Sequence, residues 1–397
     1  MNQHHHSPGT TGQRGSPSAR EEQSRGNSLA AYSARASIGA RAGAGCMPAG
    51  VAARTTAAGL VAAVLLGGCA SPPAMVYAPA KGGLVWPGPP DEPRVSYVGS
   101  LVSAGEAASE KKGLDALGEA LFGREQASGM VNPMGVCTNG AERVFVVDSG
   151  LKALHVFDLD TQKCSTWRPA EGEAPLGHPV AAAFDAVNQR VLVSDASAGV
   201  VRVFGLDGQT QGELGRGALG RPCGLAVQAG TGNVFVADVK VHCVVVLSPD
   251  GSEIARLGSR GAGPGQMNFP TYVAFDPSGR LYVADTLNFR VLLFGADYQF
   301  IRQIGRKGDI PGYFSQPKGV ATDPDGHVYV VDANFEAVQI FDGEGALLLA
   351  FGREGRGPGE FWLPSGVWID GRGRALVADA YNRRIQIFQY LGKGGKP

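Results

Sequence analysis

The sequence predicts an all-β chain folded as a six-bladed β-propeller of four-stranded antiparallel blades, closed by an N-terminal strand. Three observations predict it. A proline opens a unit at Pro133, Pro179, Pro222, Pro270, Pro317 and Pro364, and an aspartate ends the second apolar run of each at Asp148, Asp195, Asp238, Asp285, Asp332 and Asp379. The aspartates are spaced 47, 43, 47, 47 and 47 residues apart. Nine residues after each stands an apolar residue, Phe157, Phe204, Leu247, Phe294, Phe341 and Phe388, so six copies are in register. Units of this length with several short apolar runs stack radially and leave only short edges exposed.

Within one copy, "PTYVAFDPSGRLYVADTLNFRVLLFGADYQFIRQIG" (270–305) holds four runs of alternating or β-branched character. "DPSG" follows the first and "GADY" the third, both hairpin signals; "DPDG" (323–326) and "DGRG" (370–373) correspond to the former. The last copy supplies only three strands, "GVWID", "ALVADA" and "RIQIFQYL", while "PRVSYVGSLVSAG" (93–105) is a lone strand before the first copy. It is expected to close the ring as the outer strand of blade six, because an open edge invites aggregation. Between them, residues 106–126 place Leu114, Leu117 and Leu121 at helical spacing, an expected amphipathic helical insert. The propeller body is thus 93–391, with a tail at 392–397.

Ahead of the body the chain changes character. Residues 1–46 are Ser, Gly, Ala and Arg without periodicity, expected to be disordered or a mis-called extension; the His4–His6 run is too short for a metal site. From Met47 the chain reads as a secretory signal (47–68): a basic start with Arg54, an apolar run from Ala57 to Leu66, then small residues, too short for a span of ~20 apolar residues. Leu66-Gly67-Gly68-Cys69 resembles a bacterial lipobox, which implies acylation of Cys69 and export. Ala70 follows, not Asp, which by the same resemblance favours the outer membrane, facing the periplasm. Residues 69–92 are Pro- and Gly-rich, the composition of a tether.

Removing residues 1–68 takes away six arginines and two glutamates, leaving 30 basic against 34 acidic residues. A mildly acidic body lacks the basic patch that nucleic-acid binding demands. Cys137, Cys164, Cys223 and Cys243 allow three full disulfide pairings, and spacing does not choose among them. No CxxC pair is present for a structural zinc site.

The linker and first strand recur as "GAGPGQMNFPTYVAFD", "GDIPGYFSQPKGVATD" and "GRGPGEFWLPSGVWID", and an Asn-x-Arg element occurs at Asn288 with Arg290 and at Asn382 with Arg384. This pattern resembles the NHL repeat over residues 130–391, best from Gly258 to Phe388. Blades one, two, three and five lack Asn-x-Arg. Some propellers of that resemblance are zinc-dependent peptidyl-amide lyases holding the metal with three His, and related six-bladed folds are calcium-dependent lactonases. Here the body has His155, His178, His242 and His327, expected on different strands and faces, and no convergent triad can be assembled. "DPDG" resembles the start of a calcium loop but fits its hairpin. No nucleophile motif is present, so no catalytic residue, metal or cofactor is assigned.

A carboxylate that recurs in every blade serves the fold. The six aspartates are expected to anchor loops through the N–H groups that follow them, or through an arginine five residues on. Function is expected where copies differ. Two residues after the opening proline stand Gly135, Ala181, Gly224, Tyr272, Gly319 and Gly366, and four after it Cys137, Ala183, Ala226, Ala274, Ala321 and Trp368. Tyr272 and Trp368 break these columns. Large aromatics near the axis either plug the channel or floor a ligand pocket; with Lys318 at the head of a first strand and His242, Phe335, Tyr381 and Arg383 on the loops, they are the candidate ligand-binding residues of one face. The expected function is a non-enzymatic, lipid-anchored scaffold with a monomeric body, meeting an unidentified protein or peptide partner; the alternative is a metal-dependent enzyme on the same face.

Overall fold

The computed structural model describes residues 77–79, 83–102, 129–140 and 142–392, all within one compact unit, Gly68–Pro397. The expected signal, the Cys69 acylation site, the helical insert and most of the C-terminal tail lie outside the described residues.

The described chain is a six-bladed propeller. Five blades are contiguous four-stranded antiparallel sheets, and in each the first strand is innermost. The innermost strands, Pro133–Thr138, Pro179–Asp185, Pro222–Val227, Pro270–Phe275, Pro317–Thr322 and Pro364–Ile369, each touch the next, and the sixth touches the first. Proline suits this place: each innermost strand is paired on one edge only, so its first residue needs no ladder N–H.

The second and third strands are packed between neighbouring blades on both faces. Leu281–Asp285 and Arg290–Phe294 are buried throughout, and so are their counterparts Val328–Asp332 and Ala337–Phe341. Such strands read as continuous apolar runs because neither face meets water, whereas outer strands such as Glu253–Leu257 are largely exposed. The apolar residues nine after each aspartate lie at or near the ends of the third strands and are buried in the cores between blades.

Blade six is completed by Val95–Leu101, which pairs antiparallel with Arg384–Tyr390 from Ile385↔Leu101 to Tyr390↔Val95. Leu101 is fully buried, and Tyr97 packs edge-on against Phe388. Part of the segment expected as tether also joins the sheet: Tyr77–Pro79 and Val85–Trp86 pair with the outer edge of this strand. Trp86 explains it, because its ring sits 5.5 Å from Phe351 and 5.7 Å from Phe388, a burial that polar tether residues cannot offer. The edge of the last blade is therefore covered.

Because Leu101 is held between the closing strand and the core under blade six, Leu101→Ala is expected to lower stability by about 2–5 kcal/mol. The urea unfolding midpoint measures it, and an unchanged midpoint would mean the strand is not needed for closure.

Candidate binding face and axial cavity

Each aspartate ends its second strand opposite the proline that opens the first, as in Pro133↔Asp148 and Pro270↔Asp285. The loops after the aspartates and the linkers leading to the prolines therefore share one face. All six carboxylates on it are fully buried.

They are satisfied in two ways. In blades one, two, three and five each aspartate accepts from four backbone N–H groups, two in the linker and two in its own loop. Asp195 takes Gly177, His178, Ser197 and Ala198; Asp332 takes Ser315, Gln316, Asn334 and Phe335. Asp148 and Asp238 are bound alike, and His155 adds a contact to Asp148 at 3.3 Å. In blades four and six a single linker N–H remains, from Asn268 or Trp362. Asn288 and Arg290 donate to Asp285, and Asn382 and Arg384 to Asp379, with arginine Nε at 2.9 and 2.8 Å. The same side chains reach the linker carbonyls, Arg290 to Gly263 and Gln266, Arg384 to Gly357 and Glu360.

Burial pushes these carboxyls up and hydrogen bonds pull them down. The bonds prevail at Asp148 and Asp195, which lie below the ordinary carboxylate value; burial prevails at Asp285, Asp332 and Asp379, which lie above it.

Four residues after every aspartate the backbone is left-handed: Lys152, Gly199, His242, Phe289, Glu336 and Arg383 have φ of 51°, 66°, 56°, 57°, 51° and 57°. The loop constrains only the backbone of this column, so its side chains share no chemistry. Two of them latch the next blade. His242 Nδ1 accepts from the Phe269 N–H, and a Glu336 carboxylate oxygen accepts from the Leu363 N–H. Phe269 and Leu363 directly precede opening prolines and are themselves left-handed. They head blades four and six, where Asn-x-Arg has relieved the aspartate of that N–H.

Glu336 also faces Lys318. Burial lifts the Glu336 carboxyl to about 7, with the Leu363 N–H pulling it down and Asp379 and Glu354 pushing it up. Burial lowers the Lys318 ammonium, against the attraction of Glu336. No carboxylate lies within ion-pair distance of Lys318 among the described residues.

The rest of this face is aromatic and cationic around blades four to six. Tyr381 is 57% exposed and its ring lies 5.6 Å from Trp362, on which the Arg356 guanidinium stacks at 4.7 Å. Arg306 lies 4.6 Å from the Tyr313 ring and Lys307 5.1 Å from Phe289. Phe269, Leu287 and Ile310 are exposed beside them. Phe335 is half-buried and Arg383 exposed in the same loops.

Tyr272 and Trp368 sit at the axis, apart from the loop residues of this face. A bulge after each opening proline re-aims the strand, and Tyr272 crosses the axis to donate from its hydroxyl to the Met134 carbonyl of the opposite blade at 2.8 Å. It is buried, which pushes its hydroxyl above the ordinary value. Beyond it lies an axial cavity of about 210 Å³ lined by residues two to five places after the prolines, Trp368 among them. Its far wall, Phe184, Val227, Phe275, Thr322 and Ile369, is part-exposed, so the cavity opens on the opposite face.

Among the described residues, one group of three could close on a metal ion: Asp323, Asp325 and His327, in the first turn of blade five on that opposite face. Asp323 already accepts from the Asp325 and His327 N–H groups and the Tyr329 hydroxyl, and contacts His327 Nδ1 at 2.8 Å. His327 stands where Arg280 and Arg374 pair with Asp276 and Asp370, so it serves the same hairpin. The other described histidines sit apart: His155 inside blade one, His178 in a linker, His242 in its latch. Cys137, Cys164, Cys223 and Cys243 are all free thiols.

The domain family DUF5128, described as a 6-bladed beta-propeller, matches residues 321–392. No curated protein matches the sequence. Among solved structures, the chain is similar to a protein of unknown function from Bacteroides thetaiotaomicron (TM-score 0.54, 18% identity, 66% of this chain and 70% of that one). It is also similar to an auxiliary nutrient binding protein of the same organism (TM-score 0.53, 12% identity, 66% and 70%). A third is a gluconolactonase of Xanthomonas campestris (TM-score 0.51, 16% identity, 79% and 99%). At these identities the likeness is one of fold.

Arg290→Met strips a buried carboxylate of its charged partner and is expected to cost about 3–5 kcal/mol. Arg256→Met, which removes an exposed pair with Glu253, is expected to cost less than about 1 kcal/mol; equal losses in urea unfolding would contradict the buried anchor. Glu336 sets a pH trend. Its folded value is raised, so its contribution is present below the unfolded carboxylate value and lost as pH rises through about 7. Glu336→Gln is expected to flatten the fall in unfolding midpoint between about pH 5 and about pH 8, and a slope identical to wild type would remove Glu336 as its source.

Proposed function

We propose that this propeller is a non-enzymatic binding scaffold of a bacterial cell envelope, of the NHL-repeat type, held to the membrane by lipid on Cys69. It offers the aspartate-bearing face to a protein or peptide partner. The observation that carries this reading is the set of exposed cations stacked on half-buried aromatics on that face, Arg356 on Trp362 beside exposed Tyr381, Arg306 on Tyr313 and Lys307 on Phe289. Pre-stacked aromatics and arginines lose little side-chain freedom on docking and dominate interface energetics. Phe269, Leu287 and Ile310 add apolar area to the same patch. A binding role is also what the name of one fold neighbour states, the auxiliary nutrient binding protein. The outer membrane, facing the periplasm, is the proposed location, on the Ala70 that follows Cys69.

One observation favours a second reading, an enzyme of lactonase or lyase type on this face. Glu336 and Lys318 lie near each other with both groups shifted toward neutrality, the condition general acid–base chemistry needs. Lactone hydrolysis with added calcium or zinc, abolished by Glu336→Gln in a folded variant, would establish it over the scaffold.

The scaffold reading is tested in cells with a photo-crosslinking residue in place of Tyr381, and in place of outer-strand Leu348 as control. A discrete protein adduct is expected at 381 and not at 348; equal or absent adducts at both positions would refute it. In the same cells, Cys69→Ser is expected to move the protein from the membrane to the soluble fraction.

A further inference from the structure

The axial cavity has no part in the scaffold reading, since Tyr272 separates it from the aspartate-bearing face. Its walls are small. Ala181, Ala183, Ala226, Ala274 and Ala321 line it, where larger side chains would fill the axis as Tyr272 does. No charged side chain contributes to the lining. The side-chain polar groups near the mouth are engaged: the Trp368 indole N–H donates to the Thr138 hydroxyl at 3.1 Å, and the Thr322 hydroxyl donates to the Phe275 carbonyl at 2.8 Å.

What remains polar is backbone. Each innermost strand pairs only with the second strand of its own blade, so the N–H and C=O groups of its other edge face the axis without a ladder partner. Buried backbone groups of this kind seek partners. They are fixed dipoles of both senses with no net charge, which favours a ligand carrying a donor and an acceptor and disfavours an ion, whose charge would be buried without a counter-charge. At the mouth, Trp368, Phe184 and Phe275 offer ring faces and edges.

Size narrows the class further. An apolar cavity of about 150 Å³ accommodates benzene, so about 210 Å³ holds one ring with a short polar substituent. We propose that the axial cavity is a second binding site, for a small uncharged single-ring compound that bears hydrogen-bonding groups and enters from the face opposite the aspartates.

Benzamide is the probe, with benzoate as its charged counterpart of the same shape. Titration of the wild-type body by calorimetry, with saturation-transfer NMR as a second readout, is expected to give saturable benzamide binding and affinity for benzoate about tenfold weaker or worse. Ala321→Leu fills the cavity and is expected to weaken benzamide binding by about tenfold or more, with circular dichroism reporting its fold. Should Ala321→Leu not fold, Ala274→Val narrows a neighbouring wall with a smaller change. Absence of saturable binding, equal affinity for benzoate, or undiminished binding in a folded cavity-filling variant would each overturn the site. Tyr381→Ala is expected to leave benzamide binding unchanged, so failure here and failure of the scaffold reading are read separately.

Discussion

The buried carboxylate at the end of each second strand is the constraint on which the ring depends. Fully desolvated, an ionised carboxylate costs several kcal/mol unless hydrogen bonds replace its water. Each of the six finds them in the linker that delivers the chain to the axis, so the same bonds that stabilise the charge fix where the innermost strand begins. The linker N–H groups gain equally, because without the carboxylate they would be orphaned beside a buried proline. Blade geometry, the bulge after the proline and the packing around the axis all follow from that shared anchor.

Two chemistries meet one demand, and the choice between them has a consequence for the neighbouring blade. Where backbone supplies four N–H donors, the residue before the proline is committed to the aspartate, as Gln316 is to Asp332. Where Asn and Arg supply the bonds instead, that residue turns left-handed and its N–H becomes free for the preceding blade, which offers His242 to Phe269 and Glu336 to Leu363. The left-handed loop position is thus constrained in backbone and open in side chain, so it can carry a latch, a cation or an aromatic without disturbing the ring. Diversity gathers there for a physical reason.

That distinction explains what the sequence made legible. Proline, aspartate and apolar columns are visible because every blade imposes the same burial on them, and the strand at 95–101 is visible because the sixth copy holds three strands of its own and needs a fourth. Arg290 and Arg384 were readable as aspartate partners from a spacing of five residues. The Glu336 and His242 latches were not, since their partners lie 27 residues away and depend on a backbone flip that no local pattern records. Tyr272 stands out from its column in the sequence, but its reach across the axis does not, because a two-residue periodicity gives the sense of a side chain only where the strand is regular, and each innermost strand is bulged at its start.

The bulge also accounts for why Tyr272 crosses the axis at all. At its level the blades approach so closely that a Cβ added to Gly224 would meet the Tyr272 backbone at 2.4 Å, and one added to Gly319 the Ser365 carbonyl at 2.5 Å. A large side chain in this column cannot lie between blades; it can only turn inward, and once inward it reaches the far wall at Met134. The column that forbids side chains in four blades therefore makes a transverse wall of the one aromatic it admits. Two residues further on the blades have diverged enough for alanines and for Trp368, and the same six strands that are shut at one end enclose a cavity at the other. Shape on one face is in this way independent of chemistry on the other, which lets a single ring carry two unrelated surfaces.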